Sequence, residues 1–266
     1  MLKWIAQNKY KLMAFIIGLY LLVDVLQHKG QARVLFPKDL PGIPLVTLYP
    51  QSKSILLNKD KSWKKAVNTN AQIEELKPDD AGFECDIYFD TASAGSFDVH
   101  HDAGKSIGYS LDDLLQLYQQ KNLQAGIWLD LKNLDNSNAS SALRSLIELR
   151  NKYKLQNKLL IESGRADLLT AFSDSGFYTS YYVPMFNPYQ LADPALGSRA
   201  DSIAAVVYKS KVNALSGYYF QYPFLHYYFP NYPVLIWAAN DRFSLVNLLF
   251  KRKISRSKAI FISLYP

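Results

Sequence analysis

The residues best placed to do chemistry lie in two short runs, FECDIYFDTASAGSFDVHHD at 83–102 and GIWLDLKN at 126–133. In the first, Glu84 and Asp86 alternate with Phe83, Cys85 and Ile87. In the second, Trp128, Asp130 and Lys132 alternate with Ile127, Leu129 and Leu131. Period-two alternation marks a strand with one apolar face, so each run aims its acids in one direction. Glu84 and Asp86, two residues apart on a strand, stand roughly 7 Å from each other. Carboxylates that close repel unless a cation or a basic residue lies between them. If the two strands are parallel neighbours, Glu84, Asp86, Asp130 and Lys132 converge at one end of a sheet. That donor set suits a hard cation holding a phosphate. Trp128, on the face of Asp130, could wall the pocket. His101, ending an extended piece Phe97–His101, is the candidate acid or base, since imidazole titrates near neutrality. By alternation it shares a face with Phe97 and Val99, and His100 with Asp98; His28 and His226 read as structural. For Glu84 and Asp86 alone, a wet edge strand would explain the pattern equally well. In a parallel barrel both sheet faces are covered, and a second acid-bearing strand there argues for a site.

The elements that must position these groups follow a repeating rhythm. Strands are expected at Trp63–Val67, Gly82–Phe89, Ala125–Lys132, Lys158–Ser163, Tyr178–Val183, Leu215–Phe220, Pro233–Ala238 and Ala259–Leu264. Helices are expected between them: Asn70–Lys77 after Thr69, a Ser110-capped SLDDLLQLYQQK, Ser137–Lys154, Arg165–Ser175, a helical region from Pro188 to Lys211, a turn at Tyr222–Tyr228, and Asp241–Ile254. Strands separated by helices pair in parallel through right-handed crossovers. About eight such units fit a (β/α)8 barrel of the TIM type, although an open doubly wound sheet would look alike at this level. With AIFISLYP as the closing strand, an outer ring short of its final helix is expected.

Ahead of the barrel, Leu12–Leu26 is an apolar stretch preceded by Lys3, Lys9 and Lys11. A signal peptide and an uncleaved anchor compete here, and the absence of a small-x-small cleavage site favours the anchor. The expected organisation is therefore an N-terminal hydrophobic helix or signal segment at 1–29, a proline-broken linker at 30–59 and the barrel at 60–266. The expected location is a single-pass membrane anchor with the barrel on the extracytoplasmic side. The formal charge is +7, with Arg242, Lys251, Arg252, Lys253, Arg256 and Lys258 near the end. Such a cluster can touch anionic lipid, but it also suits a solvated helix end. Zinc-finger spacing, nucleotide-binding glycine loops and aromatic-basic RNA signatures are all missing, so no nucleic-acid partner is expected. Cys85 stands alone, which rules out an intramolecular disulfide and a cysteine-based metal site.

The order Glu84-x-Asp86, then His101-Asp102, then Asp130-Leu131-Lys132 resembles the glycerophosphodiester phosphodiesterases. More broadly it resembles the phospholipase-C-like phosphodiesterase barrels, with their menorin-type relatives. WKKAVNT at 63–69 resembles their first barrel strand and loop, so the likeness covers about 60–266. It implies that Glu84, Asp86 and Asp130 bind calcium or magnesium, that Lys132 faces the phosphate, and that two histidines serve as acid and base. Here Lys65 stands at the position of the first histidine, and at an ordinary pKa near 10 a lysine is a poor base at neutrality. Together with the N-terminal apolar segment, the resemblance implies a membrane-anchored, metal-dependent hydrolase of a glycerophosphodiester or lipid-derived phosphodiester. The alternative is an impaired barrel that binds a phosphorylated ligand or a partner at the membrane. Glycoside hydrolysis, which also uses paired acids at strand ends, is a third reading.

Overall fold

The computed structural model describes residues 2–27, 40–57, 60–91, 95–237, 254 and 256–265. After helix α1 (Leu2–Gln27) the elements run β1 (Ser62–Lys64), α2 (Asn70–Glu74), β2 (Gly82–Asp90), β3 (Ser96–Val99), α3 (Leu111–Gln120), β4 (Gly126–Leu131), α4 (Ala139–Lys152) and β5 (Leu159–Ser163). They continue with α5 (Thr170–Asp174), β6 (Tyr178–Tyr182), α6 (Asp193–Lys209), β7 (Ala214–Tyr218), α7 (Tyr222–Tyr228), β8 (Val234–Trp237) and β9 (Ile260–Tyr265). All strands but β3 pair in parallel, and β1 pairs with both β9 and β2, so the sheet closes into an eight-stranded barrel. The open-sheet alternative is thereby excluded. The expected helix Asp241–Ile254 lies almost wholly outside the described residues, as do Arg242, Lys251, Arg252, Lys253 and His28.

Local sequence accounts for the elements around the site. The Thr69 hydroxyl accepts from the Gln72 amide and caps α2, and Ser110 forms a reciprocal capping box with Asp113 at the start of α3. The expected helix over Arg165–Ser175 is broken into a 3-10 turn (Ala166–Leu168) and α5. Residues 40–57 form no regular element but are tied to the barrel. Leu45 donates to the Tyr228 carbonyl (2.8 Å), Leu57 to that of Asn157 (2.8 Å), and the Asn213 amide to that of Ser54 (3.2 Å).

Two apolar regions hold the barrel. One fills the space between the sheet and its helices. The other plugs the floor inside the barrel: Leu56, Trp63, Trp128, Leu160, Tyr178, Leu235 and Ile262. Trp63 lies flat against Gly82 and Gly126; a Cβ at either position would fall inside its ring, so glycine is required there for the indole to enter. Above this floor the inward positions turn polar, and the site begins.

The expected spanning anchor is not supported: among the described residues no helix is long and apolar enough to cross a membrane. The uncharged run of α1 between Lys11 and Asp24 spans roughly 18 Å at the rise of an α-helix. A bilayer core needs about 30 Å.

Candidate functional site

β2 and β4 are parallel neighbours with Glu84 opposite Trp128 and Asp86 opposite Asp130. The pleat therefore aims Glu84, Asp86 and Asp130 into the barrel at the carboxyl ends of the strands, where one oxygen from each lies within 4.8 Å of the others. Glu84 and Asp86 are buried at 4 % and 2 % exposure. Hard carboxylate oxygens at that spacing fit a divalent cation, and which ion they would take is left open by the donors themselves.

The acids are held individually. Asn68 clamps Asp86 from both sides: its Nδ2 donates to Oδ2 (2.7 Å), and its Oδ1 accepts the Asp86 amide (2.9 Å). The Ala66 amide donates to Glu84 Oε2 (2.7 Å) from a backbone in the left-handed region, φ 56°. A non-glycine residue in that region costs of order 1 kcal/mol, and here the strained peptide is the one that aims at the acid. This turn also ends β1 after three residues, short of the expected Val67. Lys132 Nζ bridges Asp86 Oδ1 (2.7 Å) and Asp130 Oδ2.

Electrostatics follow from this crowding. Burial, then the charges of Asp86 and Asp130, push the Glu84 carboxyl well above its usual range. Burial likewise raises Asp130, against the pull of Lys132. For Lys132 burial opposes the charge, but Asp130 and Asp86 outweigh it and raise the ammonium. Burial lowers Lys65, despite the attraction of Glu84 and Asp86.

A cavity of about 250 Å³ opens over these groups, lined by Lys65, Trp128 and His101 as well as the acids and Lys132. Lys65, Glu84, Asp86, His101, Trp128, Asp130 and Lys132 thus all line one mouth, though His101 arrives differently from the expected way. β3 pairs antiparallel with β2 and ends at Val99, whose side chain is buried. Alternation stops there, so His101 does not share the face of Phe97 and Val99. Its side chain is 69 % exposed, with Nδ1 2.7 Å from Asp102 Oδ1. Hydrogen bonds from Lys105 and His101 hold Asp102 down at about 2, so its carboxylate accepts the Nδ1 proton and leaves Nε2 open. His100 is the buried one, stacked on Tyr88 with ring centroids 4.3 Å apart and held at Nδ1 by the Asp102 carbonyl (2.8 Å).

Sequence reasoning missed four features. Ala66 and Asn68 act through conformation and a side-chain clamp, which no spacing announces. Glu162 on β5 sits opposite Asp130, buried and with Oε2 unpartnered; burial, then Asp130, pushes it well above the usual carboxyl range. Its signal was period two, which puts it on the same inward face as Leu160. The fourth feature is a group of rings, Tyr182, Tyr218 and Trp237, which lines the opposite side of the cavity.

The fold and site together define a (β/α)8 barrel with an acidic, lysine-bridged centre at the carboxyl mouth of its strands. Solved structures share this fold. The chain is similar to a glycerophosphodiester phosphodiesterase from Agrobacterium tumefaciens (TM-score 0.52, 13 % identity, covering 77 % of this chain and 96 % of that one). A second, from Parabacteroides distasonis, gives a TM-score of 0.51 at 13 % identity over 77 % and 93 %. A phosphodiesterase from Oleispira antarctica, solved in complex with the product sn-glycerol-3-phosphate, gives 0.51 at 12 % identity over 77 % and 93 %. No protein-family model matches the sequence, and no curated protein does. At these identities the likeness establishes the fold.

Proposed function

We propose that this barrel is a divalent-cation-dependent phosphodiester hydrolase acting on a small glycerophosphodiester or lipid-derived head group. The observation that carries the reading is the meeting of Glu84, Asp86 and Asp130 within 4.8 Å at the mouth of a barrel whose structural neighbours are phosphodiesterases. One of those neighbours holds sn-glycerol-3-phosphate, a phosphate ester of the size this cavity admits.

In this reading Glu84, Asp86 and Asp130 would hold the cation, which would supply Lewis-acid neutralisation of phosphate charge. Asn68 and the Ala66 amide keep Asp86 and Glu84 in place as ligands. Lys132 screens Asp86 from Asp130 and faces the phosphate as charge grows on it. His101, oriented by Asp102, takes a proton at Nε2 from the attacking water as the new P–O bond forms. Lys65, its ammonium made more acidic by burial, gives a proton to the departing alkoxide as the old P–O bond breaks. A lysine poised in this way answers the loss of histidine at that position.

The second reading, a barrel that binds but does not turn over, draws on Lys132, whose ammonium occupies the space between Asp86 and Asp130 where a cation would approach. Initial rates on bis(p-nitrophenyl) phosphate separate the two. Catalysis predicts turnover that chelator removes and that an Asp86→Ala, Asp130→Ala double variant lowers by about 10³-fold or more. Wild-type rates equal to those of the double variant would leave only the binding reading. Sugar cleavage that survives chelation would instead favour a glycosidase.

A further inference from the structure

We propose that Tyr88 and His100 are positioning residues for His101, two stacked rings that hold the backbone carbonyls of His101 and Asp102 and so aim the imidazole between them. The inference rests on the proton-transfer role given to His101 above and names what presets that side chain. His101 needs such help. It lies past the last paired residue of β3, and residues 101–108 are all exposed. A general base acts only within hydrogen-bond reach of its proton, which a freely turning side chain on such a loop would seldom hold. Three bonds remove that freedom. The His100 amide donates to the Asp86 carbonyl (3.1 Å), carrying the ladder one bond beyond Val99. His100 Nδ1 faces the Asp102 carbonyl at 2.8 Å; a carbonyl only accepts, so Nδ1 bears the proton and donates. The Tyr88 hydroxyl donates to the His101 carbonyl (3.2 Å).

The two rings lie flat on each other, centroids 4.3 Å apart and planes at 2°. His100 is buried, with its other nitrogen 3.5 Å from Asp98 Oδ2, and Asp98 is the cross-strand partner of Tyr88. Neither ring can therefore turn from its carbonyl without losing the other. The consequence reaches the reacting nitrogen through Asp102. With its backbone fixed, the Asp102 carboxylate meets His101 Nδ1 at 2.7 Å and Lys105 Nζ at 2.6 Å. His101 then keeps its proton on Nδ1, and Nε2 is the nitrogen left to accept one. Neither Tyr88 nor His100 lines the cavity, so both act through His101 and not on a substrate.

Two measurements on the full chain test this: histidine 15N NMR at pH 8, where an ordinary imidazole is neutral, and rates on bis(p-nitrophenyl) phosphate in saturating Mg2+. In the wild type His101 is expected to be protonated at Nδ1. In His100→Leu and in Tyr88→Phe it should move toward the Nε2-protonated form that free imidazole side chains prefer. In both variants kcat should fall about tenfold or more, with KM and Mg2+ affinity held within about twofold. His100→Asn, whose amide can donate to the Asp102 carbonyl from the place of Nδ1, should restore most of the rate. In a His101→Gln background His100→Leu should cost nothing further, because the group it aims is gone. Should His100→Leu not fold, Tyr88→Phe, which removes one oxygen, carries the test. Equal losses with and without His101 would overturn the assignment, as would a wild-type tautomer and kcat in a variant with a wild-type thermal melt. The two readings fail separately: a tautomer shift in a chain without diester turnover keeps the positioning and removes the catalysis, whereas turnover indifferent to both rings does the reverse.

Discussion

Strands β2, β4 and β5 close the barrel mouth with carboxylates, whereas β6, β7 and β8 close it with rings. The carboxylate side is built against its own stability. Glu84, Asp86, Asp130 and Glu162 crowd into a buried space, and the chain supplies a strained amide, an asparagine clamp and a bridging ammonium to hold them there. The ring side holds itself, since Tyr182, Tyr218 and Trp237 gain from touching one another. The difference teaches that the two sides should respond oppositely to truncation. Removing a clamp on the acid side ought to harm cation binding, while removing an acid ought to help the cation-free fold.

The largest effect is expected at Asn68. Asn68→Ala leaves one Asp86 oxygen and the Asp86 amide without their partner, and the carboxylate loses its fixed orientation. Cation affinity should fall roughly 10–100-fold, as for other outer-shell partners of metal ligands. Calorimetric titration of Mg2+ or Ca2+ measures it. Unchanged affinity would mean that the clamp holds the loop rather than the ligand.

A smaller effect of opposite sign on the two sides comes next. Glu162→Gln removes a buried acid with an unpartnered oxygen and should raise the melting temperature of the cation-free protein at pH 7.5, by about 1 kcal/mol or ~2–4 °C. Trp237→Leu removes ring contacts and should lower it by about 1–3 kcal/mol. Thermal melts of the two variants in chelator give the comparison directly. Shifts of the same sign would dissolve the contrast between the two sides.

How much of this was legible beforehand follows from the same contrast. The acids were readable because they alternate with Phe83, Cys85, Ile87, Leu129 and Leu131, all buried on the outer face of the barrel. Period two identifies strand, face and partner at once. The rings were not readable as a group, because they close YTSYY, ALSGY and PVLIW far apart in sequence and only the register of two strand pairs brings them together. The chain could have signalled them as the last inward residue of each strand. His101 misled because alternation holds only while a strand is paired, and pairing stops at Val99. The left-handed turn at Ala66 carries no glycine to announce it. The apolar run near the N-terminus suggested a span, but charge at Lys11 and Asp24 cuts it below bilayer length.

The smallest expected effect is a slope with pH, and its sign belongs to the acid side. Glu84, Asp130 and Glu162 all have carboxyls raised by burial. The folded protein therefore holds protons that the unfolded chain has released above the ordinary values of 4.5 for glutamate and 3.8 for aspartate. Stability from these groups is complete below those values and is given up as pH rises through the raised ones. Asp80 and Asp112, lowered by their lysine partners against the pull of burial, act in reverse, but only as pH falls below about 4. Lys65, lowered by burial, weighs on the alkaline side, between its folded value and 10.5. In chelator the melting temperature should thus be higher at pH 5.5 than at pH 7.5, by a few degrees. Saturating Mg2+ or Ca2+ should flatten the slope, because a cation replaces the protons that the crowded carboxylates otherwise keep. A cation-free melting temperature that climbs with pH across this window would mean that the acids are already neutralised by Lys132 and Lys65. The carboxylate side would then be as self-sufficient as the ring side.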